Sequence, residues 1–212
     1  MKKFAFILSI IMSSFTYALD TSDTLYKEMK LENYLNKDVF NMAIKGFNKI
    51  KDRRNNILTI IDYTKPSTEK RFLVLDLDKK TVLYDTYVTH GKNSGKIMAI
   101  NFSNTMNSYK SSLGFFLTER DGYMGSNGYS LRMKGLEPGI NSNAFARNIV
   151  IHGADYAKPE YMTHMGFLGR SLGCPSVPTE LSHPIIDTIK DKTVLFIIGN
   201  DDKYLSYSNL IK

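Results

Sequence analysis

Beyond Asn55 the chain changes period, and that change restricts its fold more than any other feature. Ile57 to Tyr63, Arg71 to Leu77, Thr81 to Thr89, Leu113 to Thr118, Ser130 to Lys134, Asn148 to His152 and Thr193 to Ile198 are short runs of Val, Ile, Leu, Phe, Tyr and Thr separated by turn residues. β-branched and aromatic residues in runs this short fit strands, and Asp78-Lys79-Lys80 fits the connection of a hairpin. Seven short strands with little helix between them predict a mainly β domain, a sandwich or barrel. One late helix is expected over Thr179 to Lys190, where Ile185, Ile186 and Ile189 share a face.

The residues before Asn55 follow a helical period. Leu25, Met29, Leu31, Tyr34 and Leu35, then Val39, Phe40, Ala43, Ile44, Phe47 and Ile50, recur at i, i+3 and i+4, with a break expected at Asn36 to Asp38. Residues 19–54 are therefore read as a short helical segment packed on the β domain of residues 55–200, and residues 201–212 as a polar tail with little to bury. Residues 1–18 have the form of a secretory signal peptide: Lys2 and Lys3, an apolar stretch from Phe4 to Met12, and small residues before a cut after Ala18. An apolar core this short falls below the roughly 20 residues that span a bilayer, so export with cleavage is expected, leaving no stable membrane span. The expected location is the periplasm or cell envelope.

Composition narrows the classes further. A hydrophobic share of 42% supports a real core. The formal net charge is +7, but the basic residues are scattered with no run of five, which argues against a nucleic-acid partner and fits weak attraction to an anionic polymer such as a cell wall.

Chemistry concentrates between Asn148 and Pro178. This stretch holds the only cysteine, Cys174, and puts His152 at the end of an apolar β-branched run. A thiolate is the nucleophilic form of cysteine and needs a base or cation beside it, which one Cys and one His supply. Gly173 leaves the backbone free to turn so that N–H groups around Gly173 and Cys174 converge as an oxyanion hole. A lone cysteine is more often a small buried hydrophobe, but Gly169, Gly173, Pro175 and Pro178 describe a loop, where a thiol is accessible. In an exported chain an unpaired thiol is a liability unless it is used.

Other groups have two readings each. Ser171 either braces the loop or His152 or is itself a nucleophile, and no Gly-x-Ser-x-Gly elbow surrounds it. Arg170 is a cation near the thiol that either lowers its pKa or holds a substrate carboxylate, against a plain loop salt bridge. His90 precedes a Gly- and Asn-containing loop and is a candidate substrate contact, as are Gly153, Tyr129 and Arg132. Cys174, His152, His164 and Asp155 can be drawn as a metal site, but without His-x-x-x-His or Cys-x-x-Cys spacing no metal and no cofactor is expected. His183, beside Pro184 at a helix start, reads as structural or surface.

His152-Gly153, followed by Ser171-Leu172-Gly173-Cys174 with 22 positions from His to Cys, resembles the L,D-transpeptidase (YkuD-type) catalytic domain, and most closely its murein L,D-transpeptidase branch. The resemblance continues through Lys65-Pro66-Ser67-Thr68-Glu69-Lys70-Arg71, His90-Gly91-Lys92-Asn93-Ser94-Gly95, Phe102-Ser103-Asn104, Ser111-Ser112-Leu113-Gly114-Phe115 and Gly135-Leu136-Glu137. It implies a β-rich catalytic domain that acts on peptidoglycan stem peptides through a Cys174 thioester, with His152 as base, and forms 3→3 crosslinks. Water as acceptor would make the same site an L,D-carboxypeptidase. Two positions depart from the family pattern: Leu172 stands where many members have a second histidine, and Ser176 where arginine or asparagine is common. Roles of those groups do not carry over, which leaves an inert wall-binding module as a non-enzymatic alternative. A papain-like peptidase is disfavoured by the His-before-Cys order and the β-rich pattern.

Overall fold

A computed structural model of the protein describes residues 22–212. The expected signal peptide lies outside the described residues. The chain is helical at residues 22–28 (α1), makes a 3-10 turn at Leu31–Asn33, and continues in α2 (Lys37–Lys49). The break falls where expected because Asn36 caps α2, its side chain accepting the Asp38 N–H at 2.7 Å.

The β domain contains all seven expected strands and two short ones that the residue pattern does not announce. In chain order they are β1 (Ile57–Asp62), β2 (Phe72–Asp76), β3 (Thr81–Thr86), β4 (Gly114–Thr118), β5 (Tyr123–Gly125), β6 (Gly128–Gly135), β7 (Val150–Gly153), β8 (Ser176–Val177) and β9 (Val194–Ile198). Helices α3 (Pro159–Met165), α4 (Thr179–Ile189) and α5 (Asp202–Tyr207) complete the set. Strands β5 and β8 have three and two residues, too few for a period to show. The strands form one sheet in the order β3-β2-β1-β9-β4-β6-β7-β8, with β5 added on β6. β1 pairs with β9 in parallel, as does β7 with β8, and the other pairings are antiparallel.

The sheet nearly closes into a barrel, and the closure runs through the cysteine loop. Past β3 the chain meets the far edge: the Thr89 N–H donates to Ser176 O at 2.9 Å, the Ser171 N–H to His90 O at 3.0 Å, and the Lys92 N–H to Ser171 O at 2.8 Å. Unpaired edge N–H and C=O groups are satisfied there, so closure fixes the backbone on both sides of Cys174. Arg71 anchors the closing segment from inside. Only 3% exposed, it donates to Val88 O, Lys65 O and His90 Nδ1, and its guanidinium lies over the Tyr63 ring.

The core is shared by the sheet, the N-terminal helices and α4. β2, β4 and β9 are buried along their whole length, and Phe115 stacks on Phe196 with centroids 4.3 Å apart. Each such phenyl ring contributes about 1.5–3 kcal/mol by leaving water. Tyr26, Leu31, Phe40, Ala43 and Phe47 from the N-terminal helices join the same cluster.

Residues 201–212 differ from the expected solvent-exposed tail. Asp201 caps α5 by accepting the Tyr204 N–H at 2.8 Å, and Tyr204, Ser208 and Ile211 are buried. Their spacing of four and three is a helical face too short to stand out among polar neighbours. The Tyr204 and Ser208 hydroxyls both meet the buried Glu137 carboxylate, which also accepts the Phe115 N–H at 2.7 Å.

Candidate active site

Alternation along β7 decides which side chains reach the site. Ile151 enters the core with Leu131, whereas Val150 and His152 point to the opposite face, where β6 places Ser130 opposite His152 and Arg132 opposite Val150. The Cys174 loop lies against that face. The thiol is half-buried, and Sγ accepts the Val150 N–H at 3.4 Å and donates to Asn148 O at 3.7 Å. The thiol therefore rests on the backbone of β7 two residues before His152, and it is not hydrogen-bonded to the imidazole.

His152 is held at both nitrogens. Nδ1 is 2.9 Å from Gly153 O, and since a carbonyl only accepts, Nδ1 carries the proton and Nε2 the lone pair. Nε2 accepts from Ser176 Oγ at 3.0 Å, and Ser176 Oγ lies 3.2 Å from the Tyr156 hydroxyl. Burial lowers the His152 pKa below its ordinary value, partly countered by the Gly153 carbonyl. Burial likewise raises the Cys174 pKa, partly countered by the Val150 N–H and by Arg147. At neutral pH the resting pair is therefore thiol and neutral imidazole, not thiolate and imidazolium.

The turn before Cys174 depends on two residues. Gly173 has φ +125, and a Cβ there would meet Lys110 O at 2.9 Å, so only glycine fits. The Ser171 hydroxyl accepts the Gly173 N–H at 3.0 Å and donates to Cys174 O at 2.6 Å, which makes it a brace across the turn. This corrects the expected oxyanion hole: the Gly173 N–H is already spent on Ser171. Among the described residues nothing accepts from the Cys174 N–H.

The cation beside the thiol is Arg147, which sequence reasoning missed in favour of Arg170. Arg147 donates through Nη1 to Ser103 O and Ser112 Oγ, both at 2.6 Å, and through Nη2 to Lys110 O at 2.7 Å and Ser108 Oγ at 3.2 Å. It ties residues 103–112 to the cysteine loop. Its position immediately before Asn148-Ile-Val-Ile-His was the available signal. Arg170 instead turns outward onto the Phe167 ring and donates to Gly95 O at 3.2 Å.

The remaining candidates separate. His90 cannot contact a substrate: it is 1% exposed, and its nitrogens face Arg71 Nη2 and Gly95 O. Tyr129 points away from the site, donating to Asp187 at 2.9 Å and stacking on His183. Arg132 shares the face of His152 and lies over the Tyr123 and Phe145 rings. Gly153 serves through its carbonyl, and a Cβ there would meet Ser182 Oγ of α4 at 2.6 Å. Leu172 is 59% exposed at the rim.

Among the described residues no three His, Cys, Asp or Glu side chains gather where they would hold a metal ion, and no helix is long and apolar enough to cross a membrane. A cleft of about 700 Å³ lies elsewhere, between Ile50, Leu117, Lys134, Tyr207 and Leu210. It contains neither thiol nor imidazole, and nucleophile geometry is the better guide to chemistry than volume.

The family model for the L,D-transpeptidase catalytic domain matches residues 31–198. The chain belongs to that family. Solved structures similar to this transpeptidase-family chain include an L,D-transpeptidase from Mycobacterium smegmatis, with 13% identity, TM-score 0.41, and 68% of this chain and 59% of that one covered. One from Stackebrandtia nassauensis has 15% identity, TM-score 0.40, and coverage of 84% and 75%. L,D-transpeptidase 1 from Mycobacterium tuberculosis has 11% identity, TM-score 0.38, and coverage of 68% and 62%. The chain thus spans about three fifths of the length of the first solved structures it matches. No curated protein matches it.

Proposed function

We propose that the protein is an exported, cysteine-dependent murein L,D-transpeptidase that forms 3→3 crosslinks between peptidoglycan stems. Family membership supports the reaction class, and the observation that carries the residue roles is the docking of the Cys174 thiol on the Val150 amide of β7, two residues from His152, whose Nε2 carries a lone pair.

For the two groups to react, Sγ leaves the Val150 amide and meets the imidazole. Catalytic hydrogen bonds often form only once substrate is bound. His152 Nε2 then takes the thiol proton, and the sulfur attacks the carbonyl of the third, diamino-acid residue of a donor tetrapeptide. The Cys174 N–H donates to the oxyanion, His152 returns its proton to the departing amine, and D-alanine leaves. The side-chain amine of a second stem resolves the thioester, while water in its place gives L,D-carboxypeptidase trimming. Residues 55–200 carry this chemistry, residues 19–54 brace it, and removal of residues 1–18 on export places the enzyme in the cell envelope.

Incubation with purified sacculi followed by mass spectrometry of the muropeptides tests the proposal. New 3→3 dimers support it, trimmed tripeptides alone would replace it with carboxypeptidase activity, and unchanged muropeptides would leave a wall-binding module.

A further inference from the structure

A buried general base has to be stable in two charge states. His152 is almost fully buried, so water cannot solvate the imidazolium that forms when Nε2 takes a proton. Gly153 O serves Nδ1–H in both states, but Nε2 needs a donor when neutral and an acceptor when charged. A hydroxyl is both. Ser176 Oγ at 3.0 Å from Nε2, backed by the Tyr156 hydroxyl at 3.2 Å, forms such a reversible pair.

We propose that Ser176 and Tyr156 are positioning residues that serve both protonation states of His152 by reversing the direction of their hydrogen bonds. In the resting state the Tyr156 O–H points to Ser176 Oγ, and the Ser176 O–H to Nε2. When Cys174 gives its proton to Nε2, the sulfur keeps the bonding electron pair and the ring gains an Nε2–H. The Ser176 hydroxyl then rotates to accept from Nε2–H and donates to the Tyr156 oxygen, while the Tyr156 O–H turns outward. No proton leaves either hydroxyl, and returning the Nε2 proton to the leaving amine restores the first arrangement.

This assignment rests on the reading of His152 as the base for Cys174, and it gives Ser176 a role in place of the arginine or asparagine common at that position. The charged or titratable groups near the ring are few. Cys174 lies on the adjoining loop with Arg147 behind it, Tyr156 on a second 3-10 turn at Asp155–Ala157, and Arg132 on β6 one pairing away. Asp155 is exposed and held by Lys158 and Thr179, and Lys158 also meets Glu180 of α4. The Ser182 hydroxyl of α4, beside Gly153, is neutral.

An NMR titration of the His152 ring in wild type, Tyr156→Phe, Ser176→Ala and Ser176→Thr tests this directly. Charge-assisted hydrogen bonds are about twice as strong as neutral ones, so losing the hydroxyl acceptor harms imidazolium more than imidazole. The expected result is a lower His152 pKa in Ser176→Ala, a smaller drop in Tyr156→Phe, and recovery toward wild type in Ser176→Thr. The carbapenem acylation rate of Cys174 should fall about tenfold in Ser176→Ala, with its acidic limb shifted the same way. An unmoved ring pKa in folded Tyr156→Phe and Ser176→Ala overturns the proposal and leaves the base assignment standing. If His152→Gln reacts like wild type at every pH, the base assignment itself fails.

Discussion

Ser176 Oγ lies 3.0 Å from His152 Nε2, the nitrogen that a thiol proton has to reach, while Cys174 two residues earlier rests its sulfur on the Val150 amide. The base and the nucleophile of the proposed reaction are therefore each held by another partner. The proposed chemistry at Cys174 requires Sγ to leave that amide.

Replacing Cys174 with Ala should abolish covalent chemistry and hardly change stability. A carbapenem offers a strained acyl group, so intact-protein mass spectrometry should show one adduct on wild type and none on Cys174→Ala. The half-buried thiol contributes less than about 1 kcal/mol of packing, so the melting temperatures should nearly coincide. An adduct persisting on the variant would mean that another residue is the nucleophile.

Arg147→Gln should damage both the loop and the thiol. Arg147 joins four acceptors on residues 103–112, and a loss of about 2–4 kcal/mol is expected from stranding them. Because Arg147 pulls the Cys174 pKa down, its removal should also shift alkylation to higher pH. Lysine cannot reproduce the planar fork and should rescue the charge effect but not the stability. Denaturant melts alongside an iodoacetamide pH series separate the two effects.

The acidic limb of the acylation rate should lie below pH 6.5. Burial depresses the His152 pKa, so the ring remains an unprotonated base below the ordinary histidine range, and the acidic limb falls under that value. Stopped-flow acylation across pH locates it, and a limb above 6.5 would contradict the burial of the base.

Stability should fall as the medium is acidified from pH 6.5 toward 4. His90 titrates at about 4 in the folded protein, held down by burial and then by the Arg71 charge, against 6.5 for a free histidine. Through that window the unfolded chain binds the proton and the folded one does not, so acid favours unfolding by on the order of 3 kcal/mol. Urea midpoints of wild type and His90→Gln at both ends of the window measure it. The variant should lose less stability on acidification, and an equal loss would show that His90 is not the linked group.

Ser208→Ala should loosen the C-terminal helix by about 1–3 kcal/mol, since it strips a donor from the buried Glu137 carboxylate. Hydrogen exchange at residues 201–212 should rise in the variant. Unchanged protection would mean that Tyr204 and Ile211 hold the segment without the polar contact.

The sequence alone determined what depends on neighbours along the chain. Seven strands, the capped break before α2, the late helix and the glycine before Cys174 were legible because period, capping and backbone freedom act within a few residues. The cysteine itself needed no structure to single out, since no other exists. Only the tertiary structure decided which charged groups surround that pair. Arg147 and Arg170 are both cations on loops, and local sequence does not distinguish them. The choice follows from how the barrel closes, which turns Arg170 out onto Phe167 and draws Arg147 in beneath residues 103–112. Closure also buried His90, by carrying the segment after β3 across to Ser171 and Ser176. Likewise, Ser176 meets both His152 and Tyr156 only because β8 pairs in parallel with β7, a contact between strand ends that no period along the chain encodes.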